Sequence, residues 1–376
     1  MAKSKKEYTF DDLNAELSNL NPLGSVMEQS TFSDVTEWID TGNYHLNACV
    51  SGSLFGGWPN NRSCSIAGPS GTGKTFLILN SIREAINMGY SIVFYDSEAA
   101  VDKDLMVKFG IDTSRVNYQP VNTVQDFRTS ITTITARMQD VKRSGGDVPK
   151  IMIILDSAGN LATAKEIDDA RSGSDKSDMT RSKILKSIFR IIMTPMADLK
   201  IPFLFTNHTY QTQDFISRQV AGGGTGPEYA ASICLFLGKA QLKDSAGDKA
   251  GIVVTAKPNK NRFAKPHPIK FHLHYTEGMN KYVGLEQYID WDDIGITRGS
   301  IEKGVKVPKS TARGWICKHL DEAVPNSEFF TEKVFTKEIL LKIEQIIKPL
   351  FNYGTNLGID YDAIIDNIDN EDDTED

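Results

Sequence analysis

Cysteine is scarce in this chain of 376 residues: Cys49, Cys64, Cys234 and Cys317 stand far apart, with neither the paired spacing of a zinc site nor the density of a disulfide framework. Free thiols in a reducing compartment are the expectation. Long apolar runs are missing as well. The richest, residues 151–155 and 233–237, have the length of a strand and fall far short of the ~20 residues that cross a bilayer. The opening MAKSKKEYTF carries bases with no apolar segment behind them, so a cytoplasmic protein without a membrane partner is expected. A cationic excess, the usual footprint of a nucleic-acid binder, is also missing: 42 Lys and Arg face 49 Asp and Glu, for a net charge of −7. That deficit is local. Residues 355–376 hold nine acids and no Lys or Arg, and without them 42 cations face 40 acids, so a near-neutral body carries a polyanionic tail. Hydrophobic residues at 40% and charged residues at 24% exclude a wholly disordered or fibrous chain.

Strand-like and helix-like segments alternate through the middle of the chain, the pattern of a parallel sheet wrapped by helices. Strands are expected at 63–67, 91–95, 151–155, 203–206, 232–237, 251–255 and 268–274, and helices at 75–88, 124–141 and 179–199. Before them, Phe10, Leu13, Leu17 and Leu20 recur at helical spacing in a segment too small to fold alone. After them, a smaller helical region broken near Pro308 and Pro325 ends in a helix over 336–347. The expected division is therefore an N-terminal oligomerisation segment at 1–40, an α/β core at 41–284, a C-terminal helical region at 285–354 and an acidic tail at 355–376.

Gly68-Pro69-Ser70-Gly71-Thr72-Gly73-Lys74-Thr75 fits G-x-x-x-x-G-K-[ST] and lies between an apolar strand and an amphipathic helix. Glycines let consecutive N–H groups face phosphate oxygens, and the helix brings its positive end to the same anion. Lys74 reaches the β- and γ-phosphates in this reading, and the Thr75 hydroxyl holds Mg²⁺; Phe76 follows directly and is counted with the nucleotide-binding residues. The apolar strand ending at Asp156 supplies a carboxylate for the same metal, directly or through water. The strand at 91–95 runs into Asp96-Ser97-Glu98, at the strand end where ligands bind. On spacing alone these acids serve equally well as loop caps or as the group that polarises water, Glu98 having the longer reach.

These pieces fall in one order with Thr41-Gly42, Gly56-Gly57, Asp156-Ser157, Thr206-Asn207-His208 and Gly222-Gly223-Gly224-Thr225-Gly226, an order that resembles the RecA recombinases. Asp156-Ser157-Ala158-Gly159-Asn160-Leu161, Ser177-Asp178-Met179-Thr180-Arg181 and Asn207-His208-Thr209-Tyr210 bring it nearer the tailed-phage recombinases of the UvsX type. The resemblance implies a RecA-like P-loop ATPase core. It implies a single-stranded-DNA-dependent ATPase that uses ATP and Mg²⁺, forms homo-oligomeric helical filaments on single-stranded DNA and exchanges strands with homologous duplex DNA, with a recombination mediator and a single-strand-binding protein as accessory partners. It makes Glu98 the general base and His208 the γ-phosphate sensor, and it assigns Lys260 and Arg262 to the ATP of the adjacent subunit, with Lys257 able to take one of these places. It also implies two DNA-binding loops. Residues 162–177 carry Lys165, Arg171 and Lys176, and residues 209–224 carry Tyr210, Phe215, Arg218, Gly222, Gly223 and Gly224; both are poor in helix or strand signal. The family's adenine-stacking Tyr is replaced by Leu105, which leaves nucleotide preference open. A RecA-like hexameric helicase and a nucleotide-gated regulatory module are the alternative readings.

Overall fold

The computed structural model describes residues 7–173, 180–211, 219–221, 226–244, 247–299, 301–302, 305–306, 314–320 and 323–354. Eight strands form the main sheet: β1 (Ser63–Ala67), β2 (Ser91–Asp96), β3 (Val116–Pro120), β4 (Ile151–Asp156), β5 (Phe203–Asn207), β6 (Ile233–Lys243), β7 (Lys249–Asn261) and β8 (Ile269–His274). Their order is β8-β7-β6-β1-β5-β4-β2-β3. From β6 to β3 neighbouring strands are parallel, and β7 and β8 add antiparallel ladders. Parallel strands need crossovers, and α3 (Lys74–Asn87), α5 (Val124–Arg143) and α7 (Arg181–Leu199) supply them. Two shorter helices, α4 (Lys103–Lys108) and α8 (Gly226–Ala230), lie between β2 and β3 and just before β6.

The uniform apolar character of β4 and β5 follows from burial on both faces. Met152, Ile154 and Leu204 enter a cluster with Leu77, Ile78 and Ile82 of α3, whereas Ile153, Leu155, Phe203 and Phe205 enter a second with Phe127 of α5 and Phe189 of α7. All four cysteines are buried and free. No helix among the described residues is long and apolar enough to cross a membrane.

Several elements differ from expectation. Strands β6 and β7 run past 232–237 and 251–255 because an antiparallel pair satisfies its own backbone, so Gly238–Lys239–Ala240 continue the ladder as exposed residues. Helix α2 (Tyr44–Ser51), capped by Asn43, and the edge strand β3 went unread, both being short and weakly periodic. The segment 162–177, expected to be irregular, contains α6 (Ala164–Arg171). Its start is a capping box in which Thr163 accepts from the Glu166 N–H and Glu166 accepts from the Thr163 N–H. Within the second expected loop, Thr209–Gln211 pairs with Gln219–Ala221 as a ribbon.

Helix α1 (Phe10–Leu20) forms where its spacing predicts, with a capping box from Thr9, but buries none of its residues. The C-terminal region is mixed rather than purely helical: Ile296–Arg298, Gly314–Cys317 and Val324–Pro325 form a small antiparallel sheet, whose two- to four-residue strands are too short to show a period. Helix α9 (Lys337–Phe351) extends past 347, and its Ile339, Ile343, Ile347 and Phe351 join the cluster that holds α2 and α3.

Candidate nucleotide-binding site

The phosphate loop joins the end of β1 to the start of α3 at the centre of the sheet. Gly71 and Gly73 adopt φ of 71° and 88°, the left-handed region that favours glycine. At Gly73 a Cβ would also sit 2.3 Å from Leu273 Cδ1, so the Leu273 side chain would have to shift to admit one. The Thr72 hydroxyl closes the loop on Pro69 O at 2.9 Å. Lys74 is buried, and its Nζ donates to Gly68 O at 2.8 Å and Pro69 O at 3.1 Å. Burial lowers its pKa, with Glu98 and Asp156 opposing that shift.

The Asp156 carboxylate lies beside the loop. Its Oδ2 accepts from the Thr75 hydroxyl at 2.9 Å, and its Oδ1 accepts from Thr206 at the end of β5. Burial raises its pKa, and the two hydroxyl donors act against that. A hydroxyl and a desolvated carboxylate at this spacing fit a hard divalent cation that arrives with phosphate oxygens and water. Among the described residues no group of three or more His, Cys, Asp and Glu side chains could hold a metal ion without such a ligand.

Strands β2 and β4 place Asp96 directly opposite Asp156. Asp96 is engaged in the turn: Oδ1 accepts the N–H groups of Glu98 and Ala99 at 2.8 Å, and Oδ2 accepts the Tyr118 hydroxyl at 2.9 Å. Glu98 projects instead toward β5, where its Oε1 lies 2.9 Å from His208 Nε2. The two acids that spacing could not separate thus have different partners.

Three arrangements come from the fold and not from local sequence. Thr206 orients Asp156. Lys239, on the exposed part of β6, donates to Ser70 O in the phosphate loop at 2.9 Å. A cavity of about 440 Å³ next to the loop is lined by Phe76, Asn80, Leu105, Phe109, Tyr275 and Gly278 among others. Phe76 and Phe109 meet edge to face at 4.7 Å, and Tyr275 is 68% exposed, so aromatic rings border the place where Leu105 has none.

Lys260 and Arg262 are not part of this group. Ile233 pairs with Asn261 and also with Cys64 near the start of β1, so the cations sit toward the opposite end of the sheet from the phosphate loop. Lys260 Nζ donates to Tyr229 O at 2.7 Å and Glu228 O at 3.2 Å, and partial burial lowers its pKa. Lys257 lies on β7 as well, paired with Phe236.

Of the residues assigned to DNA, Lys165 and Arg171 sit on α6 rather than in an irregular loop and form ion pairs with Asp169 and with Asp168, the latter at 3.8 Å. The acids that sequence reading set among loop cations are their helical i+4 and i−3 neighbours. Tyr210 lies in the Thr209–Gln211 ribbon, directly after Thr209. Lys176, Phe215, Arg218, Gly222, Gly223 and Gly224 lie outside the described residues. Segments 157–180 and 208–226 both leave the strand ends that carry Asp156 and Thr206, on the same edge as the phosphate loop.

A phosphate loop on the central strand, a carboxylate on a nearby parallel strand and an acid beyond β2 define a P-loop nucleotide-binding protein. Residues 15–280 match the RecA N-terminal domain, and on that match the chain belongs to the RecA family. It is 31% identical to the recombination and repair protein of Enterobacteria phage T4 over 319 residues, covering 83% of this chain and 76% of that protein. It is 24% identical to Protein RecA of Paenarthrobacter aurescens over 94% of this chain and 95% of that one, and 25% identical to Protein RecA of Streptomyces ambofaciens over 81% and 77%.

Proposed function

We propose that the protein is a recombination ATPase that assembles head to tail on single-stranded DNA, pairs it with homologous duplex and hydrolyses ATP in response to DNA. The observation that carries this reading is the placement of Lys260 and Arg262 toward the far end of the sheet from Lys74 and Asp156. A five-residue parallel strand is about 16 Å long, so these cations are turned away from the site of their own subunit. A second copy, set with its cation end against the first copy's phosphate loop, supplies what is missing. Repeating that contact without closure makes a filament.

In hydrolysis Lys74 transfers its hydrogen bonds from the loop carbonyls to phosphate oxygens. Thr75 and Asp156 would hold Mg²⁺, which would supply positive charge against the phosphate oxygens. Glu98 takes the proton of the attacking water as the new oxygen–phosphorus bond forms and the bond to the β-phosphate oxygen breaks, releasing ADP and phosphate. His208 joins Glu98 to the chain entering the second DNA loop, so a displacement of that loop by DNA alters the base. Lys260 and Arg262 of the adjoining subunit stabilise the charge on the transferring group.

The exposed stripe of α1 supports the same assembly. Phe10 is 68% and Leu20 82% exposed on a helix none of whose residues is buried. Strand β3 offers an edge that no other strand among the described residues pairs with, and an adjoining groove of about 700 Å³ is lined by Val93, Val116, Ile134 and Met138 together with Arg115 and Arg137. In this reading residues 1–40 serve oligomerisation, 41–284 hold the ATPase core, and 285–376 modulate access of duplex DNA.

ATPase rates with and without single-stranded DNA, with electron micrographs of the same samples, test the proposal. Stimulation with open helical filaments is the expected outcome. Closed rings favour a translocating motor, and absence of stimulation favours a nucleotide-gated regulator.

A further inference from the structure

Asn261 separates Lys260 from Arg262 and is only 6% exposed. Its side-chain amide donates to Cys49 O and Val50 O, both at 3.0 Å, occupying carbonyls in the last turn of α2 that the helix itself leaves without partners. Its Oδ1 accepts from the N–H groups of Phe263 at 2.8 Å and Ala264 at 3.1 Å, which folds the chain just past Arg262. Its main-chain oxygen accepts from the Tyr353 hydroxyl at 2.8 Å. Tyr353 follows the end of α9, which is bound to the same region elsewhere. Lys265 donates from its N–H to Phe351 O at 2.7 Å and from Nζ to Pro349 O at 3.0 Å, while the buried Glu344 carboxylate accepts from the Leu54 N–H at 2.8 Å. Half of the Tyr353 surface stays in solvent, so the ring fills no core, and its directed contact is the hydroxyl on the cation turn.

We propose that Asn261 and Tyr353 are positioning residues that hold the Lys260–Arg262 turn where its cations can reach the phosphates of an adjoining subunit. The inference rests on the reading that these cations act across the interface. Lys and Arg side chains have many rotamers, and their effect on a transition state depends on placement to within about 1 Å. A backbone pinned to α2 on one side and to the end of α9 on the other removes the coarsest part of that uncertainty. The C-terminal helix thereby becomes a support for the catalytic arrangement of the next subunit.

Tyr353→Phe removes one oxygen and leaves the ring, so the variant is expected to fold. In the full-length protein its DNA-stimulated kcat should fall about two- to tenfold, the equivalent of one hydrogen bond, with KM for ATP and the thermal unfolding midpoint unchanged. In a Lys260→Ala/Arg262→Ala background the same substitution should cause no further loss, because both groups it positions are gone. An unchanged kcat, an equal loss in both backgrounds, or a loss that tracks the unfolding midpoint would overturn the inference. The parent reading is judged separately: if Lys260→Ala and Arg262→Ala each keep the full stimulated rate, the interfacial role itself fails and the positioning role falls with it.

Discussion

Asp96 and Glu98 are two residues apart and chemically alike, yet their surroundings divide the work. Asp96 is buried and spends both oxygens on the turn and on Tyr118, whereas Glu98 keeps its carboxylate near the phosphate loop with His208 as its partner. Glu98→Gln should therefore keep ATP binding while slowing hydrolysis by about 10²- to 10⁴-fold, the contribution of a general base. Equilibrium binding of ATP alongside single-turnover hydrolysis checks this, and a normal hydrolysis rate would move the base to another residue. Lys74→Ala should instead weaken nucleotide binding itself, since Lys74 is the buried cation of the loop. The phosphate loop and Asp156 were legible because glycine spacing and an apolar strand ending in an acid are local patterns. Thr206 and Lys239 were not, because their hydroxyl and ammonium reach the site only once β5 and β6 flank β1.

Among the elements, β7 and α2 carry the most specific consequences. The antiparallel direction of β7 takes Lys260 and Arg262 away from their own phosphate loop. Removing either should depress the DNA-stimulated ATPase, by as much as about 10³-fold if it acts as an arginine finger does, and leave the basal rate of the unassembled protein in place. An equal loss in the basal rate would contradict an interfacial role. Helix α2 buries His45, whose Nε2 lies 2.8 Å from the Tyr288 hydroxyl and whose ring meets Tyr288 and Phe351 edge to face. Burial, with the charge of His267 adding to it, lowers the His45 pKa to about 4. The unfolded chain takes up this proton near pH 6.5 and the folded protein only near pH 4, so stability is full above the first value and declines toward the second. Between them the unfolding free energy should fall about 1.4 kcal/mol per pH unit more steeply than in His45→Gln; denaturant titrations of both proteins at pH 7, 6 and 5 would expose parallel curves if the assignment is wrong. Element reading succeeded for α3, α5 and α7, whose apolar faces repeat over many turns. It failed for α6, where a helix of eight residues is set by the Thr163–Glu166 cap rather than by an apolar face.

For the whole molecule, charge is as informative as shape. Nine acids in residues 355–376 follow a body close to neutrality, and in the proposed reading they would compete with DNA phosphate for basic surface. Deleting 355–376 should tighten duplex binding at low salt and matter less as salt screens the tail; unchanged affinity across a salt titration would refute the competition. Composition and local pattern by themselves determined the α/β class, the phosphate loop, the carboxylate at Asp156 and the family resemblance, since each is written in neighbouring residues or in a fixed period. Tertiary structure alone decided which of two acids faces His208, which rings border the cavity beside Leu105, and toward which end of the sheet Lys260 and Arg262 lie. Those depend on strand order and strand direction, which bring together residues separated by more than a hundred positions and which no short stretch of chain encodes.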